Sequence, residues 1–310
     1  MRPVRVVVVG MGVQGHKRLA VAGPDAVATV DPAKPEAQFK RLQDVPLAGY
    51  DAALLCTPDE VKIELLTFLL SNGKHALVEK PLVAERTTDL DRIRQLARRN
   101  QLSCYTAYNH RFEPHFVRMK ATLISGKIGR PYCVRMFYGN GTARLVRDSA
   151  WRDQGAGVLP DLGSHLLDTA LFWFGRPQAP FRLFSANRFE NRAFDHLAFG
   201  CNGAPVLQME ITLLSWRNHF YADVLAEQGS AHIRSLCKWG PSTFTVRDRK
   251  LPSGRPDEDS VTLVQPDPTW DLEYRHFKQL CAAGESNIDN DIWINDVLAD
   301  LTRQALGTAS

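Results

Sequence analysis

Apolar and polar positions alternate in blocks along the first third of the chain. Arg5–Gly10 is a β-branched run, Gln14–Ala22 has helical composition, and Ala26–Asp31 is apolar again. Ala52–Thr57 and Ala76–Glu79 read as buried strands, whereas Val61–Ser71 and Thr87–Arg99 carry apolar residues at helical spacing. Strands alternating with helices predict βαβ units and a parallel sheet covered on both faces. Beyond about residue 131 the pattern changes. Strand-like runs follow at Tyr132–Tyr138, Phe181–Arg188, Leu197–Cys201, Val206–Leu213, Tyr221–Ala226, Ala231–Leu236 and Thr243–Arg247. Turn signals such as Asn202-Gly203 and Gln228-Gly229-Ser230 separate them, which predicts a large, mostly antiparallel sheet. Helical stretches interrupt it at Asp161–Phe174, Asp271–Ala283 and Asp291–Leu306, and Leu251–Asp259 is the clearest loop. The expected fold class is α/β. A Rossmann dinucleotide-binding domain over residues 1–120 precedes an α+β substrate-binding and oligomerisation domain over 121–310, with the boundary inside the window 107–130.

Composition narrows this picture. A chain of 310 residues, 44% hydrophobic and 23% charged, buries sizeable cores without disulfides or metal and is neither disordered nor fibrous. Lys and Arg number 38 against 34 Asp and Glu, a net +4. That excess is too small for a nucleic-acid binder, yet it leaves room for a local basic cluster that meets an anionic small molecule. Cys56, Cys104, Cys133, Cys201, Cys237 and Cys281 have no C-x-x-C or metal-like spacing. They read as buried thiols in a reducing cytosol, with no metal expected. No small-residue cleavage site follows Met1-Arg2-Pro3-Val4-Arg5. The stretches Val6–Val9 and Leu166–Phe174 fall short of the roughly 18 apolar residues of a membrane span. A cytoplasmic protein without membrane partners is the expectation.

The first candidate chemistry is Gly10-Met11-Gly12-Val13-Gln14-Gly15, a G-x-G-x-x-G placed after a strand and before a helix. The first glycine permits the tight turn, the second lets backbone approach a pyrophosphate, and the third allows close helix–strand packing. Asp31 ends the next strand 21 residues after Gly10, where an acidic side chain bonds the ribose hydroxyls of a dinucleotide. A carboxylate there repels a 2′-phosphate, so NAD is favoured over NADP, with Lys34 softening the preference.

Further motifs follow: Glu79-Lys80-Pro81, expected to close a fifth strand; Asn109-His110-Arg111-Phe112; and Asp161-Leu162-Gly163-Ser164-His165-Leu166-Leu167-Asp168. With the glycine turn, in this order and spacing, they resemble the glucose–fructose oxidoreductase / inositol dehydrogenase / MocA (Gfo/Idh/MocA) family across most of the chain. The resemblance implies that Lys80 lies near the reacting hydroxyl and the nicotinamide ribose. It implies that Asp161 and His165 form the family's D-x-G-x-H, with the histidine as acid/base. Gly10, Gly12 and Gly15 match the dinucleotide turn, and Val13, Gln14, Thr57, Pro58 and Glu79 are expected beside the cofactor. A homodimer or homotetramer is implied as well. Two departures stand out. After Thr57-Pro58 the family often has a histidine a few residues on, whereas this chain reads Asp59-Glu60-Val61-Lys62, which leaves that loop's cofactor contacts open. Gly155-Ala156-Gly157 stands where the family often has Gly-Gly before D-x-G-x-H.

The residues of the Asp161 helix support the same chemistry independently. At 100° per residue His165 lies about 40° and Asp168 about −20° from Asp161, while the apolar residues centre on the opposite side. Oxidation of a secondary alcohol needs a base for the hydroxyl proton, and His165 is suited to that task near neutral pH. Asp161 would orient or stabilise the imidazole, and Lys80 would stabilise an incipient alkoxide. Arg144, Arg147 and Arg152 surround Trp151 just before this helix. Guanidinium forks suit phosphates and an indole stacks on a sugar or base, with Tyr108, Asn109 and Arg111 as further lining. These residues point to a nucleotide-diphosphate sugar. The family then suggests oxidation at C3 of UDP-N-acetylglucosamine, toward the amino sugars of surface glycans such as lipopolysaccharide. Alternatives are an NADP-dependent ketosugar reductase, a free sugar or inositol dehydrogenase, a glycosidase that uses NAD transiently, and a non-catalytic nucleotide-sensing protein.

Overall fold

The computed structural model describes residues 4–84, 86–149 and 152–307. The chain forms two compact units, one of residues 1–109 with 269–296, the other of residues 110–268 with 297–310.

In the first unit β1 (Val6–Val9), α1 (Val13–Ala22), β2 (Ala26–Val30), β3 (Ala52–Leu55), α2 (Asp59–Ser71), β4 (His75–Glu79), α3 (Thr87–Arg99) and β5 (Cys104–Ala107) follow one another. The strands pair in parallel in the order β2-β1-β3-β4-β5. Alternate strand residues serve opposite faces. Val7, Val9, Ala53, Leu55 and Val78 pack with Leu66, Leu69, Leu90 and Ile93 of α2 and α3. Val6, Val8, Ala52, Leu54 and Leu77 pack on the other side. Burial on both faces is why these strands read as continuous apolar runs. The strand closed by Glu79-Lys80-Pro81 is the fourth, not the fifth. Between β2 and β3 the chain makes only short 3-10 turns, Leu42–Asp44 and Leu47–Gly49, and one isolated bridge from Val30 to Phe39.

The second unit contains α4 (Pro114–Ile124), β6 (Pro131–Gly139), α5 (Ala143–Arg147), α6 (Ser164–Phe174), β7 (Phe181–Asn187), β8 (His196–Asn202), β9 (Val206–Thr212), β10 (His219–Ala226), β11 (Gly229–Arg234), β12 (Ser242–Asp248) and β13 (Glu258–Leu263). Its sheet runs β13-β12-β11-β10-β6-β9-β8-β7, antiparallel except for the parallel pair β6–β9. Val134, Met136, Phe220, Ala222 and Val224 form part of its buried face. The helices α4 and α6 meet through Phe116 and Trp173, whose rings lie 5.0 Å apart. The unit break at Asn109/His110 lies within the expected window. A cut after residue 120 would fall inside α4, whose Phe116 and Met119 belong to this second core.

The last helices are α7 (Thr269–Ala283) and α8 (Ile288–Gly307). Helix α7 returns to the first unit and buries Tyr274 and Phe277 against the even-numbered face of β1, so sequence order alone does not divide the chain. Among the described residues no helix is long and apolar enough to cross a membrane.

Candidate active site

The first unit supplies the glycine turn. Gly10 has φ +89°, and a Cβ there would lie 2.5 Å from the Cys56 carbonyl oxygen. A Cβ on Gly15 would lie 1.8 Å from the Gly10 carbonyl oxygen, so glycine is what lets α1 approach the turn. At Gly12 a Cβ would meet no heavy atom within 4 Å. Gly12 caps α1 without a side-chain bond, and the first turn has no acidic residue. Its N–H groups and the positive end of the helix dipole therefore suit a diphosphate. Val13 and Gln14, expected beside the cofactor, are exposed on that first turn. Gly15→Ala is expected to cost about 1–3 kcal/mol in urea unfolding by overpacking. Gly12→Ala should fold normally but bind NADH more weakly, and unchanged NADH affinity by fluorescence titration would show that the open approach at Gly12 is not used.

Asp31 follows β2. Its Oδ2 accepts the Met11 N–H at 2.7 Å, and Oδ1 accepts those of Ala33 and Lys34 at 2.8 and 3.0 Å. Partial burial opposes its charge, but these three donors and the Lys34 ammonium outweigh it and hold the carboxyl below its ordinary value. A carboxylate has about four acceptor positions, so a ribose hydroxyl retains one. Pro58 caps α2, and the Thr57 hydroxyl beside it is buried without a hydrogen-bond partner among the described residues. The uncapped helix, the open approach at Gly12 and the ionised Asp31 fit a dinucleotide.

Glu79, expected beside the cofactor, has internal partners. Its carboxylate accepts Arg18 Nε at 2.7 Å, and its carbonyl accepts the Lys62 ammonium at 2.6 Å. Internal partners thus engage both groups. Lys80 is half-buried just beyond β4. Tyr108 is buried, and the Asn109 amide donates to the Thr269 hydroxyl at 2.9 Å within the same unit.

The second unit holds the histidine. Leu159–Gly163, including the half-buried Asp161, forms a π-helical turn, and α6 proper begins at Ser164. The uniform 100° spacing from Asp161 therefore breaks before His165, because a π turn closes i→i+5 bonds. Nor is the polar stripe solvated: His165 and Asp168 are 5% and 1% exposed. The His165 ring stacks on His110, centroids 4.0 Å apart and 19° from parallel, with the Tyr138 ring edge-on at 5.7 Å. Burial, and then the charges of Asp161 and Glu113, push the Tyr138 hydroxyl above its ordinary value, so it remains a neutral donor. Lys238 Nζ lies 3.3 Å from His110 Nε2. An ammonium only donates, so Nε2 accepts and the proton of a neutral His110 sits on Nδ1.

Arg111, expected to line the substrate, instead grips Asp168. Nε reaches both carboxylate oxygens at 3.0 and 2.8 Å, and the second guanidinium nitrogen reaches Oδ1 at 2.6 Å. Burial raises the Asp168 carboxyl, with Arg111 opposing. This bidentate pair anchors α6 beneath His165. Arg144 and Arg147 stand on α5, with Glu190 and Asp148 at 3.8 and 3.4 Å, and Arg152 is half-buried. Trp151 lies outside the described residues. Glu113, Cys237 and Asp267 bring possible ligand atoms within 4.8 Å of one another. The Cys237 N–H donates to Glu113, and burial raises both the thiol and the Glu113 carboxyl above their ordinary values.

Sequence reasoning missed His110, Tyr138, Lys62 and Lys238 as site residues. His110 lay inside a quoted motif, and Lys62 occupies an apolar-spaced position in α2 with Leu66, Leu69 and Leu70. Lys238 carried no such signal.

The description "Oxidoreductase family, NAD-binding Rossmann fold" matches residues 4–108, and "GFO/IDH/MocA C-terminal domain" matches residues 116–231. The chain belongs to the Gfo/Idh/MocA oxidoreductase family. Inositol 2-dehydrogenase 1 of Saccharopolyspora erythraea is 34% identical over 141 residues, 45% of this chain and 39% of that protein. Inositol 2-dehydrogenase of Mycolicibacterium gilvum is 27% identical over 163 residues, 53% of this chain and 42% of that protein. The matched stretches thus span less than half the length of these relatives. Levoglucosan dehydrogenase in complex with NADH superposes with a TM-score of 0.83 at 18% identity, covering 98% of this chain and 97% of the other. A putative NADPH-dependent oxidoreductase from Desulfitobacterium hafniense gives 0.86 at 14% identity, covering 99% and 97%. At such identities these structures establish the fold.

Proposed function

We propose that this member of the family is an NAD-dependent dehydrogenase that oxidises a secondary hydroxyl of a free sugar or cyclitol. The observation that carries the reading is His165, buried on α6 and held by its stack on His110. Relatives named inositol 2-dehydrogenase and a structural neighbour named levoglucosan dehydrogenase support the substrate class. Gly12, the first turn of α1 and Asp31 would hold the dinucleotide, and the ionised Asp31 disfavours a 2′-phosphate. Bound NAD supplies the two-electron acceptor. His165 takes the hydroxyl proton, and the His110 ring stacked on it holds its orientation. Lys80 stabilises negative charge developing on the substrate oxygen. Asp161 lies one π turn before His165 and supports its charged form, while the Arg111–Asp168 pair keeps α6 in place.

A second reading, C3 oxidation of UDP-N-acetylglucosamine for surface-glycan amino sugars, rests on Arg144 and Arg147, both exposed on one short helix. One experiment separates the two. Purified protein is mixed with NAD or NADP and with myo-inositol, glucose, levoglucosan, UDP-sugars or dTDP-sugars, and reduced cofactor is followed by absorbance, with a ketone trap. Turnover of a free sugar or cyclitol with NAD is the expected result. Turnover confined to nucleotide sugars would replace the first reading by the second. Tight cofactor binding with no turnover on any substrate would favour a nucleotide-sensing protein.

A further inference from the structure

Lys62 begins the buried stripe of α2 that continues through Leu66, Leu69 and Leu70. A leucine would serve that stripe, whereas an ammonium buried there needs partners for all its donors. The side chain is 2% exposed, and its Nζ reaches the Glu79 carbonyl at 2.6 Å, the Pro81 carbonyl at 2.8 Å and Asp59 Oδ1 at 2.6 Å. An ammonium has three donors, and each is matched. The two carbonyls belong to the residues on either side of Lys80. One buried charge therefore ties the backbone before Lys80 to the backbone after it. The third partner, Asp59, closes the arrangement from the first turn of the same helix.

We propose that Lys62 is a positioning residue for Lys80: by holding the Glu79 and Pro81 carbonyls it fixes the turn from which the Lys80 amine is presented to the reacting hydroxyl. This role rests on the dehydrogenase reading above. Lys62 touches neither substrate nor cofactor in this account; it acts through the backbone. Burial lowers the Lys62 pKa from its ordinary value, and the Asp59 carboxylate opposes that shift.

Lys62→Met keeps the length and the apolar stem but removes every donor. With the substrate identified in the panel above, kcat should fall about tenfold to a hundredfold, the scale of a misplaced catalytic group. KM and NADH affinity should stay within about threefold of wild type, because ground-state binding is not the target. Amide hydrogen exchange over residues 80–84 should accelerate, and Lys62→Arg should recover most of kcat. If Lys62→Met does not fold, Lys62→Gln, whose amide serves one carbonyl, is measured for the same split. Near-normal kcat with unchanged exchange would overturn the proposal. So would a loss of kcat that only tracks lower melting temperature or weaker NADH binding. A wild-type chain inactive on every substrate would sink the dehydrogenase reading itself. The exchange measurement then separately decides whether Lys62 holds the Lys80 turn.

Discussion

His165→Ala is expected to lower kcat by about two to four decades, the usual contribution of a positioned general base, while leaving NADH affinity near that of wild type. The reason for the first half is local. The ring is buried, stacked on His110 and edged by Tyr138, so its removal takes away the imidazole and leaves no equivalent proton acceptor in the same position. The reason for the second half is the separate origin of the cofactor residues. Gly10, Gly12, Gly15 and Asp31 belong to the first unit, whereas His165 belongs to the second. Replacing a buried ring by a methyl also leaves a cavity, so some loss of stability accompanies the variant. His165→Asn, closer in volume and still polar, separates the two effects: it should fold nearly as well as wild type and turn over as poorly as alanine. Steady-state kinetics with the panel substrate and NADH titration check both. Turnover within tenfold of wild type in a folded variant would remove His165 from the mechanism.

How much of this site was legible in the sequence depended on the range of the interactions involved. The strands of the first unit announced themselves because burial on both faces demands continuous runs such as Val6–Val9. The glycine turn was equally legible, since Gly15 meets the carbonyl of nearby Gly10, although the contact that demands glycine at Gly10 comes from the remote Cys56 carbonyl. The strand ending at Glu79 was counted as the fifth, but the chain between β2 and β3 forms only short 3-10 turns, so it is the fourth. Helix α4 was not assigned because it sits where the chain passes from one unit to the next, and a boundary window carries no periodic expectation. Side-chain partners were not legible where they are remote in sequence. Glu79 and Arg111 were read without their internal partners, because Arg18 lies 61 residues from the first and Asp168 lies 57 from the second. A wheel drawn at a constant angle could not anticipate the π turn that resets the phase before His165. Lys62 was visible as an anomaly in an apolar stripe, but only the fold reveals which carbonyls it serves.

Arg18→Leu is expected to destabilise the first unit by about 3–5 kcal/mol at about pH 8, because it leaves two carboxylates without their buried cation. Arg18 lies on α1, 1% exposed, with Nε on Glu79 and its second terminal nitrogen on Glu273, each at 2.7 Å. The Trp270 ring covers the guanidinium with its centroid 4.4 Å away. Burial works against the Arg18 charge, yet the Glu273 and Glu79 carboxylates outweigh it and hold the guanidinium above its ordinary value. Burial dominates at Glu273, whose carboxyl is pushed up to about 7 despite Arg18, with the Glu79 charge adding to the rise. A carboxyl raised in the fold binds more protons folded than unfolded between its ordinary 4.5 and about 7. Its contribution is thus fully present at low pH and is lost as pH rises through that window. Without Arg18 the rise at Glu273 is larger, so the variant's deficit should shrink toward about pH 5, where Glu273 retains its proton in the folded state. Urea unfolding at the two pH values measures this directly. A deficit below about 1 kcal/mol would mean that water or a rearranged neighbour satisfies the carboxylates. A deficit of the same size at both pH values would show that lost packing against Trp270, rather than charge, sets the cost.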